Sequence, residues 1–200
     1  MKNIKLAAVG IGFGVNFALF AVKLYIGIST ASLTIYCDAI NNLGDTLACV
    51  VGFIGFMLIK KLGEKPSERA QSLMTFVISI FIAATGIYFV YNGLGRLMYP
   101  IPVNFSTKYA IALTSTIIVK IVLGIIFYRS DKRDSSPVLK AFLLDSFLDC
   151  FITLSALMSL FLVSKLNYAV DGAFAVITGS IITASAIKNL IKETKNLVFD

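Results

Sequence analysis

Residues 31–59 read ASLTIYCDAINNLGDTLACVVGFIGFMLI, an apolar run long enough to cross a bilayer that nevertheless carries Asp38, Asn41, Asn42 and Asp45. A carboxylate near the centre of a bilayer helix costs roughly 2.5–3.5 kcal/mol on insertion scales, so the two aspartates together cost on the order of 5–7 kcal/mol unless a cation pairs with them. A second apolar run, Val138–Val163, repeats the anomaly with Asp145 and Asp149. Residues four apart lie one turn apart on one helix face. Asn41 with Asp45, and Asp145 with Asp149, therefore form two oxygen-bearing rows able to hold a cation between them. Spacing alone also permits Asp38 with Asn42 as the pair on the earlier helix.

Working outward, composition places the chain in a membrane: of 200 residues, 58% are hydrophobic and 14% charged. Six runs approach the length needed to span hydrocarbon: Leu6–Ile28, Ala31–Ile59, Ala70–Leu94, Thr107–Tyr128, Val138–Val163 and Val170–Ile191. The expected fold is an all-α membrane protein, a six-helix bundle forming a single transmembrane domain over residues 1–200. The first run is too long, and too plainly followed by further spans, for a cleaved signal peptide. The net charge of +7 is spread by loop and forms no single patch, which argues against a nucleic-acid partner. Lysine and arginine crowd alternate connections, so by the positive-inside rule both termini face the cytoplasm, and a plasma-membrane location is expected. The second and fifth spans then run in opposite directions.

Other polar residues within the runs divide between packing and function. Cys37, Cys49 and Cys150 lie inside apolar spans without close pairing and read as small packing residues, with a soft-metal role as the alternative for the last two. There is no histidine, the usual ligand for zinc, copper and nickel. Gly10, Gly12, Gly14 and Gly27 of the first span are positions for close helix approach, Asn16 for an interhelical hydrogen bond, and Lys23 for snorkelling to the interface. Lys120 is either a lipid-facing snorkeller or a pairing cation for an intramembrane acid. Tyr88, Tyr91, Tyr99 and Arg96 read as an interfacial girdle, Ser67 as a helix N-cap, Pro137 as a first-turn residue, and Asp171 as an N-cap of the sixth helix. Asp38 is a relay or a structural hydrogen-bond partner about 10 Å along the helix from Asp45. An offset of 104 residues superimposes Ser32 on Ser136, Asn41 on Asp145 and Asp45 on Asp149, a hint that the two helices are equivalent units.

The run from Ser32 through Asp38-Ala39 to Asn41-x-x-x-Asp45 resembles the second-helix signature of the cation diffusion facilitator family. Ser136-Pro137-Val138-Leu139-Lys140-Ala141 with Asp145-x-x-x-Asp149 is similar to its fifth-helix signature. Gly93-Leu94-Gly95-Arg96-Leu97-Met98-Tyr99-Pro100, Val170-Asp171 and Ile191-Lys192-Glu193-Thr194 extend the likeness over nearly the whole chain. The resemblance implies a midplane metal site on Asn41, Asp45, Asp145 and Asp149, with Asp38 as a relay or outer-shell residue. Zinc-transporting members carry histidine in the first place of one or both pairs. The all-oxygen set here resembles the manganese-exporting bacterial branch, in keeping with the preference of harder cations for oxygen. Members continue into a soluble cytoplasmic metal-binding domain and carry a His-rich loop after the second helix. Neither is present in this sequence, and a transmembrane domain only is expected.

The expected protein is thus no enzyme and has no resident cofactor. It is a homodimeric exporter of Mn²⁺ by exchange for protons through the bilayer, with Fe²⁺, Co²⁺ or Zn²⁺ as alternative cargo. A non-transporting membrane scaffold, its acids paired with Lys120 or with a partner's basic residue, is the alternative of a different class.

Overall fold

A computed structural model describes residues 2–62, 64–133 and 137–199. Six helices follow in order: α1 (Lys2–Thr30), α2 (Leu33–Leu62), α3 (Glu64–Met98), α4 (Thr107–Arg133), α5 (Pro137–Val163) and α6 (Ala169–Phe199). All six are long and apolar enough to cross a membrane, and no strand occurs among the described residues. The chain is a multi-pass membrane protein. α5 opens on Pro137, where a missing N–H costs nothing. α3 begins at Glu64, so Ser67 lies inside the helix and does not precede it as a cap. Ser136, aligned with Ser32 by the offset, lies outside the described residues.

α1, α2, α4 and α5 form one bundle, and α3 pairs with α6 along its flank. Two apolar clusters close the ends of the four-helix bundle. One joins Ile26, Ile35, Leu113, Ala156 and Leu160. The other joins Val9, Cys49, Leu123, Phe127, Leu139 and Phe142. Between them lies a polar layer, the only arrangement in which buried charges reach one another and not lipid tails. Large apolar side chains such as Phe17, Val77, Ile111 and Phe151 point outward, as expected where the solvent is hydrocarbon.

Close approach between α3 and α6 rests on glycine. A Cβ on Gly93 would lie 2.9 Å from the Gly172 carbonyl oxygen, and one on Gly179 would lie 3.0 Å from the Gly86 carbonyl oxygen. In α1, Gly12 packs under the Phe127 ring and Gly27 against the Tyr36 backbone. Gly10 and Gly14 face open space, so only two of that helix's four expected contact positions serve that purpose.

Candidate metal site

The two oxygen-bearing rows meet across the α2–α5 contact. Asn41 Nδ2 donates to Asp149 Oδ1, directly joining the two helices. Asp45 and Asp149 are joined through a third helix: Lys120 Nζ of α4 lies 2.9 Å from Asp45 Oδ2 and also donates to Asp149 Oδ2. Asp149 and Lys120 are buried, whereas Asp45 keeps about a fifth of its side-chain surface. Asp145 enters by a small cavity that it lines with Asp45, Lys120, Asn16, Ser146, Phe127 and Phe142. Phe127 and Phe142 place this cavity toward the end of the bundle that carries the α4–α5 connection.

Lys120 is therefore the pairing cation of the two sequence alternatives. It sits midway along α4, with thirteen residues, or about 20 Å, on either side. That is beyond the reach of a snorkelling side chain, a signal already present in the helix length. Among the described residues no three acidic or sulfur side chains stand close enough to hold a metal ion in this arrangement. Asn41, Asp45 and Asp149 are linked by hydrogen bonds and the ammonium, and Asp145 shares a cavity with Asp45 and Lys120.

A second polar layer lies further along α2. Lys23 of α1 does not snorkel: it is fully buried, with Nζ 2.8 Å from Asp38 Oδ1 and 2.7 Å from Thr153 Oγ1 of α5. Thr153 in turn donates to the Asp149 carbonyl oxygen at 2.8 Å, tying this layer to the one below. Asp38 is thus the partner of a buried lysine. Asn42 Nδ2 bonds back to the Asp38 carbonyl oxygen at 2.9 Å, so the alternative Asp38–Asn42 pair is engaged within its own neighbourhood.

The third buried acid departs from expectation. Asp171 does not cap α6, in whose first turn it sits. Its carboxylate accepts from the Leu33 N–H at 2.7 Å, the Thr34 N–H at 3.3 Å and the Ser32 hydroxyl at 2.6 Å, capping the N-terminus of α2 from another helix. Arg96 turns inward from the expected girdle to meet Asp171 at 2.7 Å and the Ala31 carbonyl oxygen at 2.6 Å. Ala31 has φ 58°, the left-handed conformation that stops α1 and turns the chain into α2. Tyr88, Tyr91 and Tyr99 remain exposed. The cysteines pack: Cys37 and Cys49 are buried in apolar clusters, and Cys150 bonds back to the Ser146 carbonyl oxygen.

Two helices of opposed direction, sharing acids and an amide inside a six-helix membrane bundle, match a recognised architecture. Residues 9–198 match the cation efflux transmembrane domain. The chain belongs to that family. It is similar to the cation-efflux pump FieF of Shewanella oneidensis, at 24% identity over 163 residues, taking in 80% of this chain and 55% of the pump. This cation efflux domain thus spans a little over half the length of the curated relative it matches.

Proposed function

We propose that this chain forms the ion pathway of a divalent cation exporter, with Asn41, Asp45, Asp145 and Asp149 as the ligands of the transported ion. One observation carries the reading: the acids are in surplus at this layer. Asp38 has Lys23 and Asp171 has Arg96, one base to one acid. Asp45 and Asp149 share the ammonium of Lys120, and Asp145, which lines the same cavity as Lys120, has no base paired with it among the described residues. Buried carboxylates without matching cations are strongly unfavourable in a bilayer unless something else supplies charge, and a divalent cation supplies it. Membership of the cation efflux family and the likeness to a bacterial cation-efflux pump support a cation as cargo. The donor set is all oxygen, which favours Mn²⁺ over Zn²⁺. In this reading the protein sits in the plasma membrane as a homodimer with both termini cytoplasmic, and protons move in exchange for the metal.

The orientation places the Asp145 cavity on the cytoplasmic side and the Lys23–Asp38–Thr153 layer between the site and the outside. Ions enter from the cavity, and release outward requires that layer to part. The pairing of Lys120 with Asp45 and Asp149 favours a second reading, a closed structural ion-pair cluster that moves nothing. Mn²⁺ flux into sealed proteoliposomes separates the two. The native chain is expected to transport, and Asp45→Ala or Asp149→Ala to reduce flux at least tenfold in protein that still inserts and stays monodisperse. Full transport by either variant, or none by the native chain, would remove the site assignment.

A further inference from the structure

Lys120 stands where a transported cation must bind. Its ammonium engages one oxygen of Asp45 and one of Asp149, two of the four ligand residues, from the middle of α4 and only 1% exposed. A divalent ion drawing on both carboxylates cannot share those oxygens with a lysine at hydrogen-bonding distance, because like charges a few ångströms apart repel strongly in a poorly solvated site. The ammonium must therefore yield, and it needs an acceptor that is not an acid. Asn16 of α1 supplies one: the residue is 3% exposed, lines the same cavity as Lys120, Asp45 and Asp145, and leaves its Oδ1 without a hydrogen-bond partner. A buried carbonyl oxygen left unsatisfied is unfavourable, a penalty removed when a donor arrives. The cavity that both residues line, ≈10 Å³, lies at the lower limit for holding about one water.

Resting on the export reading above, we propose that Lys120 is a tethered cation that fills the α2–α5 site when no metal is bound, and that Asn16 receives its ammonium when the ion enters. The lysine competes with the cargo for Asp45 and Asp149. It weakens metal binding, and on its return it helps to expel the ion. The lysine shifts aside and never leaves the cavity, so its single positive charge is present in both the empty and the filled site.

The test is equilibrium binding of Mn²⁺ to the full chain in lipid nanodiscs. Lys120→Met and Lys120→Gln, the latter keeping a hydrogen-bond donor without the charge, are expected to bind Mn²⁺ at least tenfold more tightly than the native chain and to release it more slowly. Asn16→Ala leaves Lys120 in place but removes its acceptor. It should weaken Mn²⁺ binding several-fold in the native background and have no effect beside Lys120→Met, the non-additivity that marks a coupled pair. Unchanged or weaker binding in both folded Lys120 variants, with native flux intact, overturns the inference and leaves the export reading standing. An equal loss from Asn16→Ala in both backgrounds overturns it too, making Asn16 a direct ligand. Should the Lys120 variants fail to fold, unchanged Mn²⁺ affinity in Asn16→Ala alone overturns it. If no variant binds any divalent ion and the native chain moves none, the export reading fails and the inference falls with it.

Discussion

At the scale of single residues, the proposed site assigns metal selectivity to what the first place of each pair contributes. Asn41 uses its amide nitrogen toward Asp149, which leaves its carbonyl oxygen as a neutral donor, and Asp145 adds a carboxylate at the edge of the cavity. Such a set suits a cation with high affinity for oxygen. Imidazole nitrogen at the same places suits zinc, and replacing Asp145 also removes one negative charge. Asn41→His with Asp145→His is accordingly expected to shift the ratio of Zn²⁺ to Mn²⁺ uptake by at least tenfold in proteoliposomes. An unchanged ratio would place selectivity elsewhere in the bundle. Lys120 touches Asp45 and Asp149 but neither of these two positions, so the exchange leaves its ion pairs in place.

At the scale of elements, the start of α2 depends on a residue from α6. Asp171 satisfies two N–H groups at the α2 N-terminus and neutralises Arg96, whose guanidinium holds the last turn of α1 through Ala31. Removing one partner of a buried ion pair costs about 3–5 kcal/mol. Asp171→Ala should therefore speed amide hydrogen exchange at Leu33 and Thr34 and lower the midpoint of thermal unfolding in detergent. Protection at those two amides equal to that of the native chain would show that α2 is capped by other means. The six helices were legible from hydropathy, and the two oxygen-bearing rows from spacing on α2 and α5, because both depend on local periodicity. The partners of the acids were not. The sequence suggests a snorkelling Lys23 because that residue lies near the end of an apolar run, whereas its true neighbour, Asp38, lies on the next helix. Asp171 looked like the cap of its own helix because capping is usually local; here the chain brings it to α2 across 139 residues of sequence. The matching seven-residue spacing of Gly86 with Gly93 and of Gly172 with Gly179 was the available sign of the α3–α6 crossing.

At the scale of the whole molecule, the buried charges constrain what accompanies the metal. Among the described residues two buried clusters on the side away from the cavity are balanced, Lys23 with Asp38 and Arg96 with Asp171, and they bind the bundle together there. A third holds Asp45, Asp145 and Asp149 against Lys120 alone, a surplus of two carboxylates over ammonium. A low-dielectric bundle does not tolerate two unbalanced charges, so the empty and the filled site must both approach neutrality. In the filled site a divalent cation closes the balance with Lys120 still present in the cavity. On the proposed export reading, two protons on the carboxylates close it in the empty site and metal binding expels them, because a coordinating carboxylate must be ionised. The expected exchange is therefore two protons for each divalent ion, with no histidine needed as carrier. Calorimetry of Mn²⁺ binding near neutral pH, in buffers of differing ionisation enthalpy, measures the number directly as the slope of observed against ionisation enthalpy. A slope near two is expected from the charge balance, a slope near one would mean that Lys120 leaves the cavity and a proton takes up part of its role, and a flat dependence would exclude proton exchange at this site.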